Sequence, residues 1–385
     1  MPTNAKPVLA FYCSTFLPAD MWHVYRQLHL FESFRPVVFT QKRVNREQFP
    51  FEPVIELSRS RIRFLKRAWE RGASAKPWQW TRGEVNQLLQ ALHRENAQLL
   101  HLFFGNVAIH MLPVLERVTL PMVVSFHGAD VTGAIASAPY ASARERLFRA
   151  VTRVVCRSEA LKRDLIALGC PEEKLYVLRT VVPFNPEQLA RRWPKREAFE
   201  KLCIVQASRL IPKKGIDTSL QAFAAFLKHC PYAEFVIAGE GPLRQALEQR
   251  AELLGVQDAV RFTGMLRQDE LRGLLEQAHI FLHPSETHDG DQEGVPNAVL
   301  EAMSVGVPVV STRHGGIPEA VQHELSGLLC QERHPEELAE ALKRLEADPS
   351  LYEQISEGAL NVIRQRFSAE ALREEIEALY RRLLE

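Results

Sequence analysis

The feature that most constrains the fold is an alternation of short apolar runs with amphipathic segments along a chain of 385 residues. Runs such as Leu99–Phe104 and Leu202–Ala207 are almost continuously apolar, which is typical of strands buried on both faces of a parallel sheet. Amphipathic segments such as Glu84–Asn96 separate these runs and would form the helices that cover the sheet. The sequence therefore predicts an α/β protein with doubly wound parallel sheets.

The alternation is interrupted once, over residues 182–196, where Pro183, Pro186 and Pro194 occur among arginines and lysines. Because a chain of this length is long for one domain, we interpret the interruption as a linker. The predicted domains span residues 1–185 and 198–367. Sheets of this type bind ligands at the carboxyl ends of their strands, and a cleft between two domains is the expected binding site.

Composition excludes several classes of protein. The net charge is +1, so the molecule as a whole has no electrostatic attraction for nucleic acid. The six cysteines show no spacing typical of zinc, redox or disulfide-rich proteins, and we expect buried, reduced thiols in a cytosolic protein. We find no signal peptide and no apolar run of about 18 residues that would predict a membrane-spanning helix.

One segment, residues 58–82, is strongly basic, with eight arginines and lysines against the single acid Glu70. On a helical wheel Ile62, Leu65 and Trp69 share one side, and basic residues occupy another. This pattern fits an interfacial helix on an anionic lipid surface. It fits equally well an ordinary amphipathic helix packed on the first domain.

Two cations follow a predicted strand of the second domain. Arg209 and Lys214 lie in the loop between strand Leu202–Ala207 and the next helix, and Gly215 allows a tight turn there. Cations at the carboxyl end of a strand suit a diphosphate. The alternative is a solvated basic loop.

Two carboxylates, Glu293 and Glu301, flank a predicted helix start. Pro296 suits the first helical position, and the amides that follow it favour an anion. Gly294 lets a ligand approach the backbone. A carboxylate accepts two hydrogen bonds from a sugar or ribose diol, so one glutamate would hold the ribose and the other the transferred sugar. The alternative is acids that complement the helix dipole, which suits Glu293 but not Glu301.

Three further patterns have competing interpretations. His127-Gly-Ala-Asp130 follows a predicted strand, so His127 would either reach a ligand or be satisfied by the local backbone. Asp289-Gly-Asp291 is a potential metal motif, but we expect a solvated acidic loop without metal. The segment starting at Gly239 resembles a dinucleotide fingerprint, yet Arg244 replaces its third glycine and makes a dehydrogenase a weak interpretation.

The order and spacing of motifs in the second half resemble family 4 retaining glycosyltransferases, also called glycosyl transferases group 1. The motifs are Ala207-Ser-Arg-Leu, Lys213-Lys-Gly, Val236-Ile-Ala-Gly-Glu-Gly-Pro242, Phe262-Thr-Gly264, Glu293-Gly-Val-Pro-Asn, Glu301-Ala-Met, Gly306-Val-Pro-Val-Val and Gly315-Gly-Ile-Pro-Glu319. His127-Gly-Ala-Asp130 and the segment from Ser158 to Asp164 are similar to the first half of the family. The resemblance implies a GT-B fold of two Rossmann-like domains facing across a cleft, with a final helix, residues 368–385, crossing back to the first domain.

The resemblance also implies roles for individual residues. Arg209 and Lys214 would bind the diphosphate, Glu293 the donor sugar and Glu301 the ribose, with His127 beside the donor sugar. The backbone around the helix start would lie near sugar and phosphate, and a second backbone segment would hold the base. These backbone positions are Gly294, Val295, Pro296 and Asn297 for the first segment, and Gly264 and Met265 for the second.

The sequence departs from the family in its first loop, which runs from Cys13 to Asp20 and lacks the usual glycine pair. This loop is more similar to exopolysaccharide and colanic-acid-type members. A second departure is Arg179-Thr-Val-Val182, where an Asn-Gly is usual. The acceptor therefore cannot be carried over from the family.

The activity implied is that of a retaining, metal-independent hexosyltransferase. It would take a UDP- or GDP-sugar as substrate, need no cofactor, and act on a saccharide or lipid-linked saccharide in polysaccharide or glycolipid synthesis. We expect a cytoplasmic protein, with peripheral attachment to the inner face of the cell membrane if residues 58–82 bind lipid. The alternatives are a nucleotide-sugar epimerase of the same fold and a catalytically silent GT-B subunit that binds sugars or a partner.

Overall fold

The computed structural model describes residues 6–18, 21–59, 77–127, 131, 134–185, 187, 188, 190, 191 and 201–385. Most of the basic segment 58–82, residues 128–130 and about half of the predicted linker lie outside the described residues. The chain divides into two compact units. The first domain comprises Met1–Val181 and Leu372–Glu385, and the second comprises Val182–Ala371.

The first domain contains a seven-stranded parallel sheet in the order β3-β2-β1-β4-β5-β6-β7. Its strands are β1 (Val8–Cys13), β2 (Arg35–Thr40), β3 (Val54–Glu56), β4 (Ala97–Phe103), β5 (Met122–Ser125), β6 (Arg153–Cys156) and β7 (Leu175–Val177). Its helices are α1 (Trp22–Leu28), α2 (Arg82–Arg94), α3 (Gly105–His110), α4 (Leu112–Leu115), α5 (Ala141–Ala150) and α6 (Glu159–Ala167). Every residue of β1 is buried, as its continuous apolar sequence requires.

The second domain contains a six-stranded parallel sheet in the order β10-β9-β8-β11-β12-β13. Its strands are β8 (Leu202–Ala207), β9 (Ala233–Ala238), β10 (Val260–Gly264), β11 (Ile280–His283), β12 (Val309–Thr312) and β13 (Leu328–Cys330). Its helices are α7 (Ile216–Leu227), α8 (Arg244–Leu253), α9 (Gln268–Gln277), α10 (Asn297–Ser304), α11 (Pro335–Ala347) and α12 (Pro349–Arg366). The last helix of the chain, α13 (Ala369–Leu384), belongs to the first domain from Leu372 onward. The predicted doubly wound parallel sheets are thus confirmed in both domains.

The strand order reverses once in each sheet. In the first domain the chain moves outward from β1 to β2 and β3 and then returns to β4 on the other side of β1. In the second domain the same reversal lies between β8 and β11. Loops that leave neighbouring strands in opposite directions open a crevice at the carboxyl edge of the sheet, which is where such folds bind ligands.

The start of α2 shows how local capping sets an element's limits. The hydrophobic pattern predicts a helix from Glu84, but the helix begins at Arg82 because Thr81 caps it. The Thr81 side chain accepts a hydrogen bond from the Glu84 amide, and the Glu84 carboxylate accepts one from the Thr81 amide. This capping box satisfies two amide groups that the first helical turn leaves unpaired.

All six cysteines are buried, and none forms a disulfide, as the sequence predicts. Among the described residues, every helix falls short of the length and apolar character that crossing a membrane requires.

The final helix, α13, is attached to the first domain through a buried carboxylate. Glu377 is 4% exposed, and its Oε1 accepts hydrogen bonds from the backbone amides of Glu32 and Ser33, each at 2.7 Å. Its Oε2 accepts from the Ser33 hydroxyl at 2.7 Å and from Arg381 at 2.6 Å. Tyr380, also on α13, is fully buried and hydrogen-bonds to His101 of β4.

We predict that Glu377→Ala lowers the free energy of unfolding of the first domain by about 1–3 kcal/mol, because it leaves the amides of Glu32 and Ser33 and the Ser33 hydroxyl without their acceptor. Tryptophan fluorescence in a urea titration can follow this, since four of the five tryptophans precede residue 181. Glu374→Ala, an exposed position on the same helix, is the matched control. Equal stability of the two variants would contradict the prediction.

The difference in the free energy of unfolding between wild type and Glu377→Ala should also depend on pH. Burial raises the pKa of Glu377, but the hydrogen bonds from Ser33 and Glu32 and the charge of Arg381 outweigh burial, so the folded-state pKa lies below its ordinary value of 4.5. A carboxyl of this kind contributes stability above its unfolded pKa and loses it as the pH falls through the folded pKa. The gap between wild type and Glu377→Ala should therefore narrow below about pH 4.5.

Candidate functional site

The loops that follow β8 and β11 meet at the strand reversal of the second domain. Gly215, at the end of the β8 loop, has a φ of +59° and lies against the Pro284 carbonyl, which follows β11. A Cβ at position 215 would lie 1.9 Å from that carbonyl oxygen. Glycine is required here for both its backbone conformation and this close approach.

The two loops are joined by a buried ion pair. Lys214 Nζ lies 2.6 Å from Glu293 Oε1, and the two side chains are only 11% and 10% exposed. The structure therefore brings together one cation and one carboxylate that the sequence singled out 79 positions apart. A pair this deeply buried is favourable only while both partners are present, because either charge alone would be desolvated without compensation.

Burial and neighbouring charges set the ionisation of the pair. Burial lowers the pKa of Lys214, as do the charges of Lys213 and Arg209, while Glu293 opposes this. Burial alone would raise the pKa of Glu293, but Lys214 holds it below the ordinary value. Glu293 is therefore a carboxylate at neutral pH, an acceptor for hydroxyl donors.

Two more cations surround Lys214. Lys213 Nζ lies 2.8 Å from Asp291 Oδ2 in a second ion pair. Arg209 is exposed, and its guanidinium has no ion-pair partner among the residues that the structure describes. Its charge nevertheless acts on Lys214, since it contributes to the lowered pKa of that residue. The β8 loop thus presents an accessible cation near the buried pair.

The backbone at Glu293 is fixed by the residues after β12. The Glu293 amide donates to His314 Nε2 at 3.0 Å, and the Gly316 amide donates to the Glu293 carbonyl at 3.0 Å. Gly315 has a φ of +50°, and a Cβ there would lie 2.2 Å from the Glu293 carbonyl oxygen. A Cβ on Gly316 would lie 2.8 Å from the Gly294 carbonyl carbon. Gly315 and Gly316 therefore let the loop after β12 pack directly on the loop that carries Glu293.

His314 extends this support to a second carboxylate. Because its Nε2 accepts the Glu293 amide, its Nδ1 carries the proton and donates to Glu332 Oε1 at 2.7 Å. Glu332 also accepts the Thr287 amide at 2.7 Å. His314 is fully buried, so it positions the Glu293 loop without contacting solvent. The sequence analysis did not identify His314; its one signal was its position directly before the Gly315-Gly pair.

A fully buried histidine, His283, ends β11 next to the ion pair. Burial, followed by the charge of Lys214, lowers the pKa of His283 to about 3. Neither ring nitrogen has a hydrogen-bond partner among the described residues. His283 is therefore neutral at physiological pH and adds no positive charge beside Lys214.

Helix α10 begins at Asn297. Pro296 is its N-cap, with φ −65° and ψ 131°, and Asn297 is the first helical residue. The prediction that Pro296 occupies the first helical position was therefore wrong; extended ψ places it just before the helix. Glu301 lies in the second turn, is 9% exposed and accepts a hydrogen bond from Gln268 Nε2 at 3.0 Å. Gly294 and Val295, which precede the cap, are half-buried.

The glycines of the apparent dinucleotide fingerprint have a packing role. A Cβ on Gly239 would lie 1.8 Å from the Ser208 carbonyl oxygen, and one on Gly241 would lie 2.5 Å from that of Leu210. They therefore allow the loops after β8 and β9 to touch. The Gly239 amide donates to the carbonyl of Gly264 at 2.8 Å, and Gly264 ends β10 with a φ of +78°. Met265, which follows, is 69% exposed.

His127 lies in the first domain, after β5. Its ring is 4.7 Å from that of Phe104 and 4.8 Å from that of His23. Burial, then the charges of Arg157 and His23, hold the pKa of His127 well below its ordinary value, so the imidazole is neutral. Phe104 has a φ of +75°, a strained conformation of the kind that clusters at functional sites.

The acidic loop at Asp289-Gly-Asp291 is joined to the β8 loop by an ion pair. One of its two carboxylates, Asp291, is bound to Lys213. Within the described part of the chain, no group of three or more histidine, cysteine, aspartate or glutamate side chains has an arrangement that could hold a metal ion. The absence of metal stays a prediction.

Two family models together match most of the chain. The model described as "Glycosyl transferases group 1" matches residues 188–362, and "Glycosyltransferase Family 4" matches residues 27–185. The chain belongs to this glycosyltransferase family. The sequence-based resemblance is thus confirmed for both halves of the protein.

Curated relatives of this glycosyltransferase include exopolysaccharide enzymes. The amylovoran biosynthesis glycosyltransferase AmsK of Erwinia amylovora is 34% identical over 249 residues, covering 64% of this chain and 60% of the relative. The putative colanic acid biosynthesis glycosyltransferase WcaL of Escherichia coli K12 is 34% identical over 221 residues, covering 56% and 53%. The predicted similarity to exopolysaccharide and colanic-acid-type members is confirmed, although the match spans only a little over half the length of these relatives.

Solved structures show that the fold is GT-B. HepE of Anabaena, crystallised with UDP, has a TM-score of 0.75 at 18% identity, covering 97% of this chain and 99% of that one. WaaG, a glycosyltransferase involved in lipopolysaccharide biosynthesis, has a TM-score of 0.62 at 17% identity, covering 96% and 99%.

We predict that Gly315→Ala destabilises the second domain more than Gly255→Ala does. Both glycines have positive φ, +50° and +68°, so both variants introduce similar backbone strain. Only alanine at 315 meets the Glu293 carbonyl, whereas the space at 255 is open. The clash should add about 1–3 kcal/mol, measured by calorimetric or urea unfolding. Equal destabilisation by the two substitutions would contradict the prediction, because it would show that the Glu293 loop moves aside for the added Cβ at no cost in stability.

Proposed function

We propose that the protein is a retaining, metal-independent hexosyltransferase. It transfers a sugar from a UDP- or GDP-sugar to a saccharide or lipid-linked saccharide, in polysaccharide or glycolipid synthesis. The observation that carries this proposal is the buried Lys214–Glu293 pair at the strand reversal of the second domain, with the exposed cation Arg209 beside it.

The pair suits a nucleotide-sugar because the two ends of such a ligand need opposite partners. Its diphosphate attracts Arg209 and Lys214, and its sugar hydroxyls donate to Glu293. Amides at the start of α10 add further positive potential for the phosphates. Glu301 is assigned to the ribose, and Gly264 and Met265 to the base. The role of His127 beside the donor sugar stays a prediction from the family resemblance.

These residues would act on the charge that develops as the donor bond breaks. Cleavage between the anomeric carbon and the diphosphate oxygen leaves negative charge on the nucleotide and positive charge on the sugar. Arg209 and Lys214 stabilise the first, a preorganised electrostatic contribution that is often the largest in catalysis. Retention by front-side attack of the acceptor hydroxyl needs no nucleophile from the protein.

The named relatives support the donor and acceptor classes. HepE was crystallised with UDP-glucose. A GDP-mannose-dependent phosphatidylinositol monomannoside mannosyltransferase of Mycobacterium tuberculosis is 36% identical over 169 residues. AmsK and WcaL are named for amylovoran and colanic acid biosynthesis. A cytoplasmic protein at the inner face of the cell membrane fits these substrates, and the membrane contact rests on residues 58–82.

We predict that UDP or GDP raises the melting temperature of the purified chain, while ADP does so less. At a ligand concentration of about 100 times Kd the stabilisation is about 2.7 kcal/mol by mass action. The matching UDP- or GDP-sugar should be hydrolysed slowly, and Glu293→Gln should lower that rate by about 100-fold or more. Glu248→Gln, a half-exposed position on α8, is the control.

Three results would separate the candidate functions. Release of free nucleotide and sugar supports a transferase that uses water as a poor acceptor. Appearance of an epimeric nucleotide-sugar identifies the epimerase. Nucleotide binding without any turnover identifies the silent subunit, and failure of all three nucleotides to bind rejects the proposal altogether.

We also predict that donor turnover survives EDTA treatment and dialysis. Arg209 and Lys214 already supply positive charge for the departing diphosphate, and Asp291 is engaged by Lys213. The measurement is nucleotide release with EDTA and with added Mg²⁺ or Mn²⁺. Activity that disappears with EDTA and returns with Mn²⁺ would overturn metal independence.

A further inference from the structure

Glu332, which follows β13, joins two loops of the second domain through both of its carboxylate oxygens. Oε1 accepts a hydrogen bond from His314 Nδ1 at 2.7 Å, and Oε2 accepts one from the Thr287 amide at 2.7 Å. His314 follows β12 and Thr287 follows β11, and these three strands are neighbours in the sheet. One carboxylate therefore connects the loops that leave three adjacent strands, including the loop that carries Glu293.

The charge of Glu332 determines which ring nitrogen of His314 accepts a hydrogen bond. An ionised carboxylate only accepts hydrogen bonds, so it holds the imidazole proton on Nδ1. Nε2 is then left with its lone pair, which accepts the Glu293 amide at 3.0 Å. His314 is fully buried, so bulk water does not reach either nitrogen. Glu332 therefore acts on the Glu293 backbone through a single imidazole ring.

Glu332 is ionised at neutral pH. Burial raises the pKa of Glu332, but the hydrogen bonds from the Thr287 amide and from His314 outweigh burial and hold that pKa below its ordinary value of 4.5. The carboxylate thus has no proton to offer to Nδ1, and the tautomer of His314 stays fixed.

Arg333 ties the same loops together independently of Glu332. Its guanidinium donates to the Thr287 carbonyl, and its Nε lies 3.7 Å from Glu286 Oε2. The loop after β11 therefore keeps contacts with the loop after β13 when Glu332 is replaced. Of these contacts, the one that reaches His314 comes from Glu332.

We propose that Glu332 is a positioning residue for the transfer reaction. It fixes the tautomer of His314, and His314 in turn holds the Glu293 backbone in the place where the Glu293 carboxylate meets Lys214. Glu332 acts through His314 and has no contact with the donor sugar. The role in transfer rests on the proposed function, because that function assigns Glu293 to the donor sugar. The link between Glu332 and His314 is testable without any substrate.

The first variant is Glu332→Gln, which keeps the size of the side chain but has one acceptor oxygen instead of two. The Thr287 amide cannot give up its proton, whereas the imidazole can shift its own. The glutamine oxygen should therefore face Thr287, and its NH2 group should face His314. The imidazole proton then moves to Nε2, where it opposes the Glu293 amide.

Glu332→Gln should lose turnover without losing nucleotide. The kcat for donor hydrolysis should fall about tenfold, which corresponds to one lost hydrogen bond. The Kd of UDP or GDP should change by less than about twofold, because Arg209 and Lys214 are intact. Glu357→Gln, an exposed position on α12 with the same change of charge, is the matched control and should equal wild type in both values.

His314→Gln separates action through His314 from any other effect of Glu332. Its side-chain oxygen takes the place of Nε2 and accepts the Glu293 amide whatever group occupies position 332. In that background Glu332→Gln should lower kcat by less than about twofold, so the two substitutions are strongly non-additive. The same tenfold loss in both backgrounds would overturn the proposal, because Glu332 would then act through Thr287 or through stability.

The tautomer is read from long-range proton–nitrogen correlation spectra of the histidine rings in isotope-labelled protein. The His314 ring is assigned through its own backbone resonances, so this measurement needs neither turnover nor a folded His314→Gln variant. Wild type and Glu357→Gln should show a protonated Nδ1 and an unprotonated Nε2, and Glu332→Gln should show the reverse. An unchanged tautomer in Glu332→Gln would overturn the proposal.

These measurements distinguish failure of the inference from failure of the proposed function. If wild type neither binds nucleotide nor hydrolyses donor, the transferase and the positioning role are both rejected, and the spectra still decide whether Glu332 fixes the tautomer. If wild type hydrolyses donor and Glu332→Gln does so at the same rate, the positioning role alone is rejected. A reversed tautomer together with a loss of kcat that His314→Gln abolishes supports the proposal.

Discussion

The site in the second domain depends on two opposite charges that are about nine-tenths buried and only 2.6 Å apart. Lys214 and Glu293 fix where two loops must meet, because neither charge can remain buried without the other. Glycines in the surrounding backbone allow the loops to approach closely enough for this contact. Gly215 lets the cation-bearing loop touch the end of β11, and Gly315 and Gly316 let a third loop pack on the backbone at Glu293. A ligand that carries both phosphate and hydroxyl groups offers each member of the pair a second partner.

The same topological feature occurs in both domains, with different side chains around it. The sheet order reverses beside the first strand of each domain, and in each case the loops at the carboxyl edge carry polar residues into the crevice. In the second domain these residues are charged and largely paired with one another. In the first domain they are aromatic rings, hydroxyls and an amide. A charged crevice suits the diphosphate end of a donor.

Sequence patterns predicted the long elements well. The limits of β8 agree with the structure and those of the final helix α13 agree to within one residue, since each has a strong apolar pattern. Short elements without such a pattern, including β3, β13 and α1, were not identified. The roles of Lys214 and Glu293 were inferred from their places at strand and helix ends. His314 was missed because its partners Glu293 and Glu332 lie 21 and 18 residues away, so no local spacing reveals them.

The buried carboxylate Glu377 makes the first domain discontinuous along the chain. Its amide partners belong to residues 32 and 33, and the segment Leu372–Glu385 is separated from Val181 by the whole second domain. A fragment that stops at Val181 would therefore leave amides and an aromatic surface around His101 uncovered. An isolated first domain would need the terminal helix added as a separate peptide, or joined ahead of residue 1 by circular permutation.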